Sequence, residues 1–282
     1  MKFALFANER KPNAVEVRTD LARYLRELGA TVAVEMCDGA EELSAPKVQK
    51  SVHGCDFVVS IGGDGSILHL VHRLGIPHPP IIGVNLGTLG FLADVAVQDI
   101  FGSFNAIYHK AYKVSERLVL DGFMQDTFIN FAINEVTIHR GNHPHIVDIA
   151  MHVDGSFVNT FSADGLLVAT PSGSTAYSLS AGGPIITPET KAIVVTPICP
   201  HTITNRPIIF LPKQSISIEL FHGADAVDVI FDGMPPIKLA RGERVELKVN
   251  HEPFRLVSLT TSDYYATLRT KLGWTGSLRS SR

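Results

Sequence analysis

The chain has 282 residues, of which 45% are hydrophobic and 19% charged, and its formal net charge is -3. That composition excludes wholesale disorder, and the near-balanced charge argues against a protein whose main task is to grip nucleic acid. Three scattered cysteines, Cys37, Cys55 and Cys199, have no metal-ligand spacing and read as thiols of a reducing compartment.

The length favours two domains. Lys2 to Ala7 is too short an apolar run, and too soon followed by charge, for a secretory leader, and reads as a buried strand. Ala14 to Leu28 has helical periodicity, with Val17, Leu21, Tyr24, Leu25 and Leu28 on one face and Gly29 as the stop. Thr31 to Glu35 is a second strand. Phe57 to Ile61 is continuously apolar, as for a parallel strand covered on both faces. Gly62-Gly63-Asp64-Gly65 follows, then a helix from about Ser66 to Leu74 and a buried strand, Ile81 to Val84. This alternation predicts an open, doubly wound parallel sheet. The apolar stretch Ile81 to Val97 is broken by Asn85, Thr88 and Asp94, so it falls short of the roughly 20 residues of a membrane span.

After about residue 111 the texture changes to short runs rich in Val, Ile, Thr and Phe. They are Lys113 to Leu120, Phe128 to His139, Ile146 to Val153, Phe157 to Phe161 and Leu166 to Thr170. Ala192 to Thr196, Ile208 to Leu211, Ser215 to Leu220, Val227 to Phe231 and Arg244 to Val249 follow. Asp154-Gly155, Asp164-Gly165 and Asp232-Gly233 punctuate them as turns. An all-β domain of layered sheets is expected over 111–261, against an α/β domain over 1–110. A last helix, Tyr264 to Leu272, cannot bury its face alone and is expected to dock back on the α/β domain with 262–282. Gly276 to Arg282 reads as a frayed tail.

Three elements carry chemistry. Gly62 to Gly65 sits where a buried strand ends and a helix opens. Ligands of open α/β sheets bind there, and glycines let backbone N–H groups approach a phosphate. Asp64 among phosphates needs a task. It either caps the helix in an ordinary tight turn, accepts a proton from a hydroxyl, or holds a divalent metal. The segment Asp164 to Pro184 runs from a strand into Pro171-Ser172-Gly173-Ser174-Thr175 and a short helix with Ala176, Tyr177 and Ser180. Its crowded hydroxyls suit an anion, and Tyr177 offers a face to a base, unless this is plain capping beside a core tyrosine. Glycine-rich turns in both domains suit a cleft for a long, two-headed ligand. Asn134-Glu135 interrupts the strand-like run FAINEVTIH, which either contacts sugar hydroxyls or marks an exposed edge. His139, His143 and His145 fit no standard metal spacing, and Pro144 marks a turn.

In order and spacing these elements resemble the NAD kinase family. Its pattern is Gly-Gly-Asp-Gly plus a hydroxyl residue, then Asn-Glu or Asn-Asp, then Thr-Pro-x-Gly-Ser-Thr-Ala-Tyr. Here these are Gly62 to Ser66, Asn134-Glu135 and Thr170 to Tyr177, and the resemblance spans nearly the whole chain. It implies phosphoryl transfer from ATP, another triphosphate or polyphosphate to the adenosine-ribose 2′-hydroxyl of NAD. A divalent metal such as Mg²⁺ would be bound mainly through the donor phosphates, with no protein metal ligands assigned. It further implies Asp64 as proton acceptor and Gly62, Gly63, Gly65 and Ser66 as the phosphate-donor loop. NAD would be held by Asp64, Gly65, His69, Asn134, Glu135, His145, Asp164, Ser172, Thr175, Ala176, Tyr177, Ser178, Leu179 and Ser180. A cytoplasmic homodimer or homotetramer is expected, without nucleic-acid or membrane partners. Ser66 stands where Thr is common, and Met234 follows Asp232-Gly233 where many relatives place a polar side chain. Phosphofructokinases and lipid kinases share the first block but lack the third. A non-catalytic dinucleotide sensor is the reading from another class, and retention of Asp64 speaks against it.

Overall fold

The computed structural model describes residues 1–38, 45–87 and 90–275. The expected frayed tail, Gly276 to Arg282, lies outside these residues. The chain forms two units, Met1–Ser115 with the chain from Arg255 onward, and Glu116–Phe254.

The sheet of the first unit has the spatial order Thr31–Asp38, Lys2–Asn8, Phe57–Gly62, Ile81–Asn85, Phe254–Leu259, Tyr112–Arg117, with Val95–Ala96 beside Ile81–Asn85. Lys2–Asn8 pairs in parallel with both its neighbours, and Ile81–Asn85 with Phe57–Gly62, Phe254–Leu259 and Val95–Ala96. Phe57–Gly62 and Ile81–Asn85 are buried at every position, which accounts for their unbroken apolar runs. Ala14–Glu27 turns Ala14, Leu21, Ala22 and Leu25 onto the core, and Gly29 takes the left-handed φ of 85° that ends the turn. Two helices that had no clear sequence signal, Ala45–Ser51 and Ile100–Tyr108, complete the layers.

The strand order reverses direction at Lys2–Asn8: the next strand lies on one side of it and the third on the other. The crevice outside the carboxyl ends of such a pair is where an open α/β sheet binds ligands, because the outgoing connections part there. Asn8 and Gly62 end the two strands concerned.

Tyr264–Leu272 packs on this first unit as expected. The Tyr264 ring meets Phe91 at 6.1 Å, and the Ser262 hydroxyl donates to Asp94 just ahead of the helix. Asp263 caps the helix by accepting from the Tyr265 N–H, and Gly273 closes it in the left-handed region. No helix among the described residues is long and apolar enough to cross a membrane.

The second unit is two six-stranded antiparallel sheets. One sheet buries Ile149, Phe161, Ile218 and Leu247; the other buries Val136, Val168, Val195 and Phe231, all within one apolar core. Two expected single runs prove to be pairs of strands. Lys113 to Leu120 divides into Tyr112–Arg117, in the first unit's sheet, and Leu120–Met124. Phe128 to His139 divides into Thr127–Ala132 and Glu135–His139, which lie in different sheets. The chain changes sheet at Ile133-Asn134, so the polar pair marks a crossing between layers.

Candidate functional site

A cavity of about 620 Å³ opens at the switch point of the first unit. The ends of the three central strands line it: Asn8, Gly62 to Ser66 with His69, and Asn85 to Gly87, joined by Lys11, Gly90 and Lys271. The helix that follows spans Asp64–Leu74, two residues earlier than its sequence signal. Its first-turn N–H groups, on Asp64 and Gly65, have no intrahelical acceptor and stand ready for an anion. A Cβ added at Gly63 or Gly65 would meet nothing within 4 Å among the described residues, so side chains there would occupy the cavity itself. Ser66 is buried, and its hydroxyl accepts from Asn8 Nδ2 at 2.8 Å.

Asp64 is not an N-cap. The cap is Gly63, with no side-chain capping bond. The Asp64 carboxylate instead receives the backbone N–H groups of Phe91 (2.8 Å, to Oδ2), Leu92 (3.1 Å, to Oδ1) and Ala93 (2.8 Å, to Oδ1). A Cβ at Gly90 would overlap this carboxylate, so glycine is what lets the loop close over it. Each carboxylate oxygen offers about two lone-pair sites, so Oδ2 keeps capacity for one more donor. Among the described residues lining the cavity, Asp64 is the only carboxylate, and Lys11 and Lys271 also line it.

In the second unit Asn134 and Glu135 stand at the sheet crossing. Asn134 Oδ1 and Glu135 Oε2 are buried without a hydrogen-bond partner among the described residues. Burial, and then the charge of Asp232, push the Glu135 carboxyl up to about 8, so it is largely neutral at pH 7. Tyr177 is 42% exposed, an aromatic face open to solvent rather than a core residue. Burial raises its hydroxyl pKa, followed by the nearby Cys199, Asp164 and Glu135. Asp164 pairs with Arg140, Nε to Oδ1 at 2.6 Å, and the same guanidinium donates to the His143 carbonyl. His145 is exposed beside His143, their ring centroids 5.8 Å apart.

The segment after Leu166–Thr170 differs from its expected form. A single 3-10 turn, Gly173–Thr175, precedes a helix of only four residues, Tyr177–Ser180, and Ala176 lies outside it. Its hydroxyls are largely used internally. Ser174 bonds Pro171 and Ile186, Thr175 donates to the Ser172 carbonyl, and Ser178 pairs with Thr196 at 2.9 Å. They shape the turn rather than forming an anion site at a helix end. Ser172 and Leu179 are half-buried and Ser180 exposed, on the same turn as Tyr177.

Within the first unit, Gly62, Gly63, Asp64, Gly65, Ser66 and His69 converge on one cavity. Within the second, the electrostatic neighbours of Tyr177 include Glu135 and Asp164. Sequence reasoning missed Asn8, Lys11, Asn85, Gly90 and Lys271 in the cavity, and Thr170 and Asp232 beneath Asn134-Glu135. The first and fourth strands end at Asn8 and Asn85, so the rule for carboxyl ends could have found those two. Asp232 carried a signal only as a turn residue. Among the described residues no cluster of His, Cys, Asp or Glu could hold a metal ion by itself.

Residues 3–112 match the ATP-NAD kinase N-terminal domain and residues 133–259 the ATP-NAD kinase C-terminal domain. The chain belongs to the NAD kinase family. It is 43% identical over 276 residues to the NAD kinase of Protochlamydia amoebophila, covering 98% of this chain and 99% of that one. It is 36% identical over 280 residues to that of Geotalea daltonii, covering 97% and 98%. The crystal structure of yeast NADH kinase complexed with NADH superposes with a TM-score of 0.83 at 30% identity, over 100% of this chain and 90% of that one. The Archaeoglobus fulgidus NAD kinase in complex with ATP shares the fold (TM-score 0.79, 24% identity, 98% and 100% covered). Membership of this family makes the protein a kinase.

Proposed function

We propose that the chain phosphorylates the adenosine-ribose 2′-hydroxyl of NAD to give NADP, with ATP, another triphosphate or polyphosphate as donor and Asp64 as proton acceptor. The observation that carries this reading is the switch-point cavity. Among the described residues it has one carboxylate among glycines, first-turn helix N–H groups without an intrahelical acceptor, and two lysines, in a chain of this family.

Phosphoryl transfer depends on alignment and charge compensation more than on covalent help from the protein. Gly62, Gly63, Gly65 and Ser66 form a floor that donor phosphates can approach closely, and Lys11 and Lys271 offset their charge. Asp64, fixed by three N–H donors, keeps an oxygen lone pair for the attacking hydroxyl. The O–H proton passes to Asp64 as the hydroxyl oxygen bonds the terminal phosphorus and the shortened donor leaves. A divalent ion fits as one carried mainly by the donor phosphates, since such ions need only one or two carboxylates besides them. When bound it offsets charge on the transferred group. NAD is held by Asn134, Glu135, Asp164, Ser172 and Thr175 to Ser180, with Gly65, His69 and His145 approaching it. A neutral Glu135 both donates to and accepts from ribose hydroxyls, and Tyr177 supplies a stacking face. Cytoplasmic location and assembly as a homodimer or homotetramer belong to the same reading.

The test is direct. The purified full chain, with magnesium and NAD or NADH, is given ATP, other triphosphates or polyphosphate, and NADP or NADPH is measured enzymatically. Phosphorylated product with at least one donor is expected. A chain that is folded and inactive with every donor would defeat the proposal.

A further inference from the structure

The backbone of Ile133, Asn134 and Glu135 is accounted for almost entirely by two other residues. The Asp232 carboxylate accepts all three N–H groups: Ile133 at 2.7 Å, Asn134 at 2.8 Å and Glu135 at 3.1 Å. The Asp232 N–H in turn donates to the Glu135 carbonyl at 3.0 Å. Thr170 takes the other carbonyls, its hydroxyl donating to Ile133 at 2.5 Å and its N–H to Asn134 at 2.8 Å. Gly173 packs so closely that a Cβ there would overlap the Asn134 carbonyl. Asp232 is only 9% exposed and sits in the left-handed region, φ 49°, at the end of the strand whose Phe231 pairs with Val136. A buried carboxylate is costly unless hydrogen-bonded, and charge-assisted bonds from successive N–H groups offset that cost.

The side chains on this backbone behave oppositely. Asn134 Oδ1 and Glu135 Oε2 have no partner among the described residues although both are buried. Buried polar atoms in folded proteins are nearly always paired, and unpaired ones at a rigid position call for a partner from outside the chain. A segment whose every main-chain group is tied down, beneath two side chains left open, is built for presentation.

We propose that Asp232 and Thr170 are positioning residues that lock the Ile133–Glu135 backbone and so preorder the Asn134 and Glu135 side chains for the dinucleotide. The inference rests on the reading of that pair as a dinucleotide contact. Neither residue touches the reacting atoms; each acts on binding through the pair it holds. Preordering of this kind strengthens ground-state and transition-state binding alike, so its loss raises KM and leaves kcat nearly unchanged.

The experiment compares the full chain with Asp232→Asn, Thr170→Val and Thr170→Ser in steady-state kinetics against NAD. Asp232→Asn replaces one acceptor oxygen with an N–H₂ facing backbone donors. KM is expected to rise by at least about 10-fold with kcat within about 3-fold. Thr170→Val keeps the volume and removes the hydroxyl, and should raise KM roughly 3- to 10-fold; Thr170→Ser restores the hydroxyl and should return KM to the wild-type value. A second readout is the Glu135 carboxyl in ¹³C-glutamate-labelled protein. The charged or titratable groups facing it are Asp232 and Tyr177, and neutralising Asp232 should lower its midpoint from about 8. Should Asp232→Asn fail to fold, the Thr170 pair decides alone. Unchanged KM in the folded variants of an active protein, or a fall in kcat without a rise in KM, overturns the proposal. An inactive wild-type chain defeats the dinucleotide reading itself.

Discussion

Asp64 and Asp232 make nearly the same local structure in the two units. Each carboxylate gathers three consecutive backbone N–H groups, 91 to 93 in one case and 133 to 135 in the other. Each also depends on a glycine that lets main chain close in, Gly90 against the Asp64 carboxylate and Gly173 against Asn134. The surroundings differ. Asp64 is half-buried and lines a large cavity, whereas Asp232 lies beneath the residues it holds. The same hydrogen-bonding pattern therefore leaves one carboxylate facing a cavity, where the proposed proton transfer would use it, and buries the other under the backbone it holds.

The two aspartates should differ most in their effect on turnover. Asp64→Asn is expected to lower kcat by about 10²–10⁴-fold, the usual worth of a general base, with little change in the KM for NAD. Asp232→Asn should do the reverse. The Asn at position 64 keeps one acceptor oxygen, so melting should fall by no more than about 1–3 kcal/mol of stability. Wild-type turnover in a folded Asp64→Asn protein would remove Asp64 from the chemistry and leave two structural clamps.

A smaller effect separates the two glycines. A Cβ at Gly173 meets backbone, which cannot step aside, and Gly173→Ala should cost about 1–3 kcal/mol in chemical denaturation. A Cβ at Gly90 meets a side chain, so Gly90→Ala should destabilise less yet impair kcat more, by displacing the Asp64 carboxylate. Equal loss of stability with equal activity in the two variants would contradict this contrast.

The carboxyl above Asp232 also makes stability depend on pH. The folded protein holds the Glu135 proton up to about 8, while an unfolded glutamate releases it near 4.5. Between these values the folded state binds more protons, so the contribution of Glu135 to stability declines as pH rises and levels off above 8. Glu135→Gln should flatten that decline, which urea midpoints measured from pH 5 to 9 would reveal. An identical slope in wild type and variant would show that Glu135 is ionised throughout.

How much was legible varied along the chain for physical reasons. Phe57 to Ile61 was readable as a strand because both its faces are buried and every residue is apolar. Tyr264 to Leu272 was readable as a docked helix because its face needs a partner. The sheet change within Phe128 to His139 was not, since Thr127–Ala132 and Glu135–His139 have the same β-prone composition and only the oddity of Asn134-Glu135 hinted at a break. The hydroxyl-rich segment after Thr170 suggested an anion site, yet its hydroxyls close on Pro171, Ser172, Ile186 and Thr196. Those partners are chosen by tertiary folding.

The order of apolar runs, glycine turns and motif blocks determined the succession of α/β and all-β units and named Asp64, Asn134, Glu135 and Tyr177 as candidates. Burial pattern and turn chemistry are local, and a linear chain records them directly. Which backbone groups the two aspartates hold, and which lysines and asparagines share a cavity with Asp64, depended on contacts across long separations. Asp232 reaches Ile133 from 99 residues away, and Asp64 reaches Ala93 from 29. Hydrogen bonds at that range arise only when the sheets have packed and brought strand ends side by side.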